Sequence, residues 1–187
     1  MPSTPFGFRL DVNKAIQAAA VLLRQHRRRM SYLRLLKLLY IADREALQQI
    51  GTPIVGGRFV AMDQGPLHSE IYDLIKGTHK DEPLWRRFVA RDRYEVELVD
   101  DPGVLDLSEF EIDCLQEISD RYANRDDWDL VDNVAHTFPE WKENYQPHTS
   151  TTIPVTSLLA AVGHQQHADE IVRDAAMRQR VLERFRL

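Results

Sequence analysis

The sequence predicts a single α+β domain, predominantly α-helical, with a central apolar helix at residues 31–50 and a small antiparallel sheet from residues 54–62 and 88–99. Three stretches carry that expectation. In SYLRLLKLLYIADREALQQI, Tyr32, Leu35, Leu36, Leu39, Ala46, Leu47 and Ile50 recur at helical spacing, while Leu38 and Ile41 occupy other faces. A helix apolar over much of its circumference packs on more than one side. Tyr94-Glu95-Val96-Glu97-Leu98-Val99 alternates apolar with charged, the pattern of a strand with one wet face. Ser108-Glu109-Phe110-Glu111 spells a capping box, in which serine and glutamate reciprocally satisfy free amides at a helix start.

Taken in order, residues 10–25 read as an amphipathic helix with Val12, Ile16, Ala19, Ala20 and Leu23 on one side and Asp11 or Asn13 as its cap. HRRRM (26–30) is a basic turn, either a contact for phosphate or an acidic partner or an exposed loop at a helix C-terminus, where cations are favoured. Ser31 caps the central helix, Gly51 suits its C′ position, and Pro53 prevents its continuation. Gly56-Gly57, between Ile54-Val55 and Phe59-Val60-Ala61-Met62, suits a tight primed turn. Gly65-Pro66 reads as the opening of a helix, with proline where its missing amide costs nothing. Leu67, Ile71, Leu74 and Ile75 form that helix's stripe, and Gly77 ends it.

A polar loop at residues 78–83 precedes a hairpin expected to turn at 91–93, and Asp100-Asp101-Pro102-Gly103 is a turn. The capping-box helix turns Ile112, Leu115, Ile118 and Tyr122 inward. A further helix carries Leu130, Val131, Val134 and Ala135 until Pro139 stops it. Residues 144–152 are a loop, and Ile153-Pro154 starts a short helix ending at Gly163. Residues 1–163 are therefore expected to form the domain and 164–187 an amphipathic helical extension. Its stripe of Ile171, Val172, Ala175, Leu182 and Phe185 either packs back on the domain or docks on another chain, a partner or a second copy.

The composition excludes several classes. A chain of 187 residues, 43% hydrophobic and 28% charged, fits one globular domain. No run approaches the roughly 20 apolar residues that span a bilayer, and MPSTPFGFRLD lacks the pattern of a signal peptide. The single cysteine, Cys114, forbids an internal disulfide and suits a reducing cytoplasm. The net charge of −5 conceals an asymmetry: residues 1–50 hold nine basic against three acidic residues, and residues 100–145 three basic against fourteen acidic. Such blocks either attract within the fold or offer an acidic surface, around Asp126, Asp127 and Asp129, to a basic partner. Binding to nucleic acid is disfavoured, because that usually needs a wide basic surface.

Residues 35–43 (LLKLLYIAD), the downstream GTPIVGGRFVAMDQGPLHSEIYDLIK and HTFPEW at 136–141 together resemble the Panacea domain, the SocA-like antitoxin family. The resemblance runs in order across residues 10–163 and rests on Lys37, Tyr40, Ala61, Gly65, Pro66, Tyr72 and Trp141, with Asp43 and His136 inside the same motifs. The family more often has glutamine where this chain has Leu36, and an aromatic where it has Gln64. The resemblance implies a bacterial or phage antitoxin that binds and neutralises a cognate toxin, with the motif residues serving structure or interface. Some relatives act as adaptors that hand a toxin to a protease. Contacts to a partner are expected on the acidic region and on Arg178, Leu182 and Phe185 of the last helix.

The sequence carries few marks of catalytic chemistry. Asp43 lies beside the apolar face of its helix, so a buried carboxylate needing a partner is expected, with Arg58 or Tyr72 to supply it. His164 and His167 have i, i+3 spacing, but Gly163 argues against one continuous helix and no paired cysteines or HExxH accompany them, so no metal is assigned. No phosphate-cradling glycine loop or GxSxG elbow is present, and no cofactor is implied. The enzymatic rival is a small hydrolase using Asp43, His68 or His136, which requires those groups to meet in one pocket.

Overall fold

The computed structural model describes residues 7–185. Helix α1 (Val12–Gln25) starts where the Asp11 side chain accepts from the Lys14 amide. Ala15, Ala18, Ala19, Ala20, Leu22 and Leu23 are fully buried along it, so the alanine run serves close packing. HRRRM is no loose turn. Arg27 and Arg28 adopt left-handed backbone (φ 55° and 68°) and swing the chain into strand β1 (Arg29–Ser31).

Helix α2 (Tyr32–Ile50) follows as expected, capped by Ser31 on the Arg34 amide at 3.0 Å and ended by Gly51 at φ 69°. Arg34 through Asp43 are buried without a break. The helix is central.

The next stretch corrects the sequence reading. Ile54 and Val55 form no strand, and Gly56-Gly57 forms no hairpin. Both glycines have positive φ and lie against residues 8–10 of the N-terminal segment, where a Cβ on Gly56 would stand 2.7 Å from the Arg9 carbonyl. The amides before them bind a side chain of α2 rather than a neighbouring strand. The hairpin comes later, where β2 (Phe59–Met62) pairs antiparallel with β3 (Gly65–His68). Gly65-Pro66 therefore opens a strand, and α3 (Ser69–Lys76) begins only after it. Strand β3 lies at a sheet edge, where proline is tolerated.

After the short α4 (Glu82–Arg86), β4 (Val89–Asp92) and β5 (Glu95–Leu98) form the expected hairpin, turning slightly later at Arg93-Tyr94. Val96 and Leu98 are buried and Glu95 and Glu97 exposed, as the alternation requires. Helix α5 (Glu109–Arg121) has the complete capping box, and α6 (Asp127–Asn133) is capped by Asp126. Pro139 does not stop a helix. It opens α7 (Pro139–Asn144), where its fixed φ is preorganised, because α6 has already ended. The expected loop after α7 contains β6 (Thr151–Thr152), and α8 (Val155–Ala161) and α9 (Ala168–Phe185) complete the chain.

The strands make two small sheets rather than one, ordered β1-β5-β4 and β3-β2-β6. Each acquires a strand too short to show a period. The core lies in two clusters on either side of α2. The larger joins α1, α2 and α5 through Leu22, Leu35, Leu38 and Leu115, each contributing about 1.5–3 kcal/mol by leaving water. The smaller joins Tyr40, Leu47 and Phe59 to Ile153, Leu158, Leu159 and Val172. Among the described residues, no helix is long and apolar enough to cross a membrane.

Candidate functional site

Lys37, Tyr40 and Arg44 fall on one stripe of α2, at i, i+3 and i+7, with Asp43 beside them. Each side chain fixes a distant piece of chain.

Asp43 holds the loop after α2. Its Oδ1 accepts from the amides of Ile54 (2.8 Å) and Val55 (2.9 Å), and Oδ2 from Gly56 (2.9 Å). His68 Nε2 lies 2.9 Å from the same Oδ2, and both side chains are shut off from solvent. Four bonds therefore offset the burial of the carboxylate. The partners expected from sequence are engaged elsewhere: Arg58 donates to Ser69 Oγ, and Tyr72 packs its ring on Tyr32 at 6.2 Å.

Lys37 holds β3. Its Nζ donates to the Pro66 carbonyl at 2.9 Å, and burial alone pushes its pKa down to about 7. Gly65 permits this approach. At φ 90°, a Cβ there would lie 2.9 Å from Ala135 Cβ and 3.4 Å from Lys37 Nζ.

Tyr40 and Arg44 hold α7. Tyr40 donates its hydroxyl to Glu140 Oε1 at 3.0 Å, and Arg44 Nε donates to the same oxygen at 2.8 Å. Glu140 is completely buried and its Oε2 has no partner among the described residues. Burial, reinforced by the Glu140 carboxylate, raises the Tyr40 pKa well above the ordinary phenol value. Arg44 also lies over the Phe138 ring, 4.5 Å from its centroid.

The HTFPEW motif closes the arrangement at the surface. Trp141 is stacked between His136 (4.2 Å) and Tyr145 (4.6 Å), and its Nε1 donates to the Met62 carbonyl at 3.0 Å. His136 Nε2 lies 3.0 Å from the Asp63 carbonyl, while the Asp63 carboxylate accepts from the His148 amide and the Tyr145 hydroxyl. Those bonds, the amide's first, hold Asp63 below the usual carboxylate pKa. The segment clamps the β2–β3 turn.

The opposed charge blocks partly neutralise one another within the fold. Lys14 meets Glu111 at 2.6 Å, Arg24 meets Asp101, and Arg34 meets Asp127 at 3.2 Å. Asp127 also accepts from Ser31, Asp126 caps α6, and Asp129 meets Arg125 at 2.9 Å. The acids expected to face a partner thus already have local duties. On α5, by contrast, Glu109, Asp113, Glu117 and Asp120 are exposed at i, i+4, i+8 and i+11, and none has an ion pair among the described residues. Trp128 is 59% and Leu105 97% exposed in the same acidic region of the sequence. Arg178 is exposed on α9 and lines a cleft of about 970 Å³ shared with residues 7–14, 49–56 and 79–81. The side chains of Leu182 and Phe185 lie outside the described residues.

The hydrolase constellation does not assemble. Asp43 and His68 do meet, but out of reach of solvent, and His136 is spent on Trp141 and the β2–β3 turn. Burial pushes the Cys114 thiol up to about 12, helped by the Glu45 and Asp43 carboxylates. His164 and His167 do not converge: one lies 2.9 Å from the Gln48 carbonyl and the other faces Glu170. Among the described residues, no group of three or more His, Cys, Asp or Glu side chains is placed to hold a metal.

Sequence reading missed Arg44, Asp63, Glu140 and Tyr145. Of these only Glu140 carried a signal, as an acid inside HTFPEW beside two aromatics.

The fold is thus a helical α+β domain braced from one central helix. The family model for the antitoxin SocA-like Panacea domain matches residues 35–142, from the first turn of α2 to α7, and the chain belongs to that family. No curated protein and no solved structure matches it.

Proposed function

We propose that this chain is an antitoxin that neutralises a cognate toxin by direct binding, without chemistry of its own. Family membership supports an antitoxin role in general. The observation that carries the finer reading is the outer face of α5, an acidic stripe with no ion pair among the described residues, in a stretch of sequence that also exposes Trp128 and Leu105. Lysine and glutamate are depleted at interface centres and aromatics enriched there, so Trp128 is the anchor and the acids steer a basic toxin toward it. The motif residues Lys37, Tyr40, Asp43, Gly65 and Pro66 then act indirectly, by holding the domain in shape. On this reading the protein works in the bacterial cytoplasm, and residues 1–163 form the neutralising domain.

The test is co-expression with each flanking open reading frame, scored for growth rescue and co-purification. Rescue with a stable complex, lost on Trp128→Ala, is expected. No toxicity and no complex with any neighbour would remove the proposal. An adaptor that delivers the toxin to a protease is a second reading, favoured by the separate cleft beside α9, which offers the second surface an adaptor needs. Toxin turnover unchanged by loss of this chain would dispose of it.

A further inference from the structure

Among the described residues, helix α9 leaves one face without a partner. Its first turns pack on the domain through Ala168 and Val172, and Ile171, Ala175 and Arg178 line the cleft. A different stripe, Glu170, Met177, Val181 and Arg184, lies at i, i+7, i+11 and i+14 and is open to solvent, with Met177 69% and Val181 48% exposed. An acid stands at one end of this stripe, a base at the other, and apolar side chains between.

We propose that this face pairs with the same face of a second copy of the chain, the two α9 helices running antiparallel about a twofold axis at Met177. The charges choose both the occupant and the direction. A parallel pair would set Glu170 against Glu170 and Arg184 against Arg184. The antiparallel pair sets each Glu170 against the partner's Arg184, because both residues lie seven positions from Met177. Met177 then meets its own copy at the centre. Val181 falls opposite the partner's Arg173, whose aliphatic stem covers it. Self-complementarity of this kind is what a twofold interface requires. Among the described residues, Glu170 faces only His167 at 3.6 Å, an exposed pair of little energetic weight, and Arg184 has no ion pair. The inference does not depend on the antitoxin reading, since the stripe shares no residue with α5.

The test is sedimentation of the full chain across a concentration series at low salt. A monomer–dimer equilibrium is expected, with Glu170→Arg and Arg184→Glu each weakening it about tenfold and the double exchange recovering most of the loss. Within one helix the two sites are about 21 Å apart, so recovery can arise only between copies. Met177→Cys gives a disulfide-linked dimer on mild oxidation, while buried Cys114 stays out of the reaction. All of these positions are exposed, and circular dichroism checks that each variant is folded. A chain that stays monomeric throughout, or an exchange that fails to recover association, overturns the proposal.

Discussion

The ammonium of Lys37 is held by the Pro66 carbonyl at 2.9 Å, and among the described residues no carboxylate contributes to its setting. The charged form is opposed by burial alone, so this contact ties β3 to α2 at a cost that varies with pH.

In the unfolded chain the Lys37 amine titrates near 10.5, and in the folded chain near 7. Between those values the unfolded form holds a proton the folded form releases, so folding is favoured as pH rises. The contribution is full above the upper value, declines as pH falls, and is gone below the lower one. The slope is at most about 1.4 kcal/mol per pH unit. Urea melts of wild type and Lys37→Met at pH 7 and 9 read the difference, other groups cancelling between the two chains. The variant gains most at pH 7. Equal differences at both pH values would count against this account.

Removing the Asp43 carboxylate strands three backbone amides and His68. Asp43→Ala is expected to cost more than about 3 kcal/mol, since each buried unpaired donor carries a penalty of about 1–3 kcal/mol. Asp43→Asn keeps the shape and some of the acceptors, and falls between. Chemical denaturation measures both, and an alanine cost below about 1 kcal/mol contradicts the bracing role.

Gly65 and Gly77 separate backbone strain from steric approach. Both have positive φ, yet a Cβ on Gly77 meets nothing within 4 Å, whereas one on Gly65 meets Ala135 at 2.9 Å. Alanine at 77 costs about 1 kcal/mol and alanine at 65 about 2 kcal/mol more. Equal costs, compared by thermal melts, would mean that β3 has room to retreat.

The exposed acids on α5 have no ion pair among the described residues. Asp113→Lys and Glu117→Lys should change stability by less than about 0.5 kcal/mol while slowing association with a basic partner and flattening its salt dependence. Stopped-flow mixing at two ionic strengths reads that change directly.

Much of this was legible in the sequence, for identifiable reasons. Helix α2 declared itself by its period and by Ser31 and Gly51; α5 by its capping box; β5 by alternation. What failed was local evidence with two meanings. Gly-Pro opens helices often enough that β3 looked like one, and Gly56-Gly57 suits a hairpin as well as a loop wrapped on a carboxylate. Strands β1 and β6, three and two residues long, have no pattern to find. At the site, burial of Asp43 followed from its place beside an apolar face. Its partners did not, because backbone amides carry no residue identity, and Glu140 joins Tyr40 from 100 positions away in the chain.

Strand β6 has a consequence for synthesis. It seats Thr151 and Thr152 on β2, and Leu158 and Leu159 beside it cover Tyr40 and Phe59, which the ribosome makes about a hundred residues earlier. At roughly 5–20 residues per second, the first half of that cluster waits about 5–20 s for its lid. A pause in translation during the interval leaves chains with an open apolar face and an incomplete sheet. Supply of the finished domain therefore lags behind its message, and a cell whose translation is failing completes no new copies from transcripts it already holds.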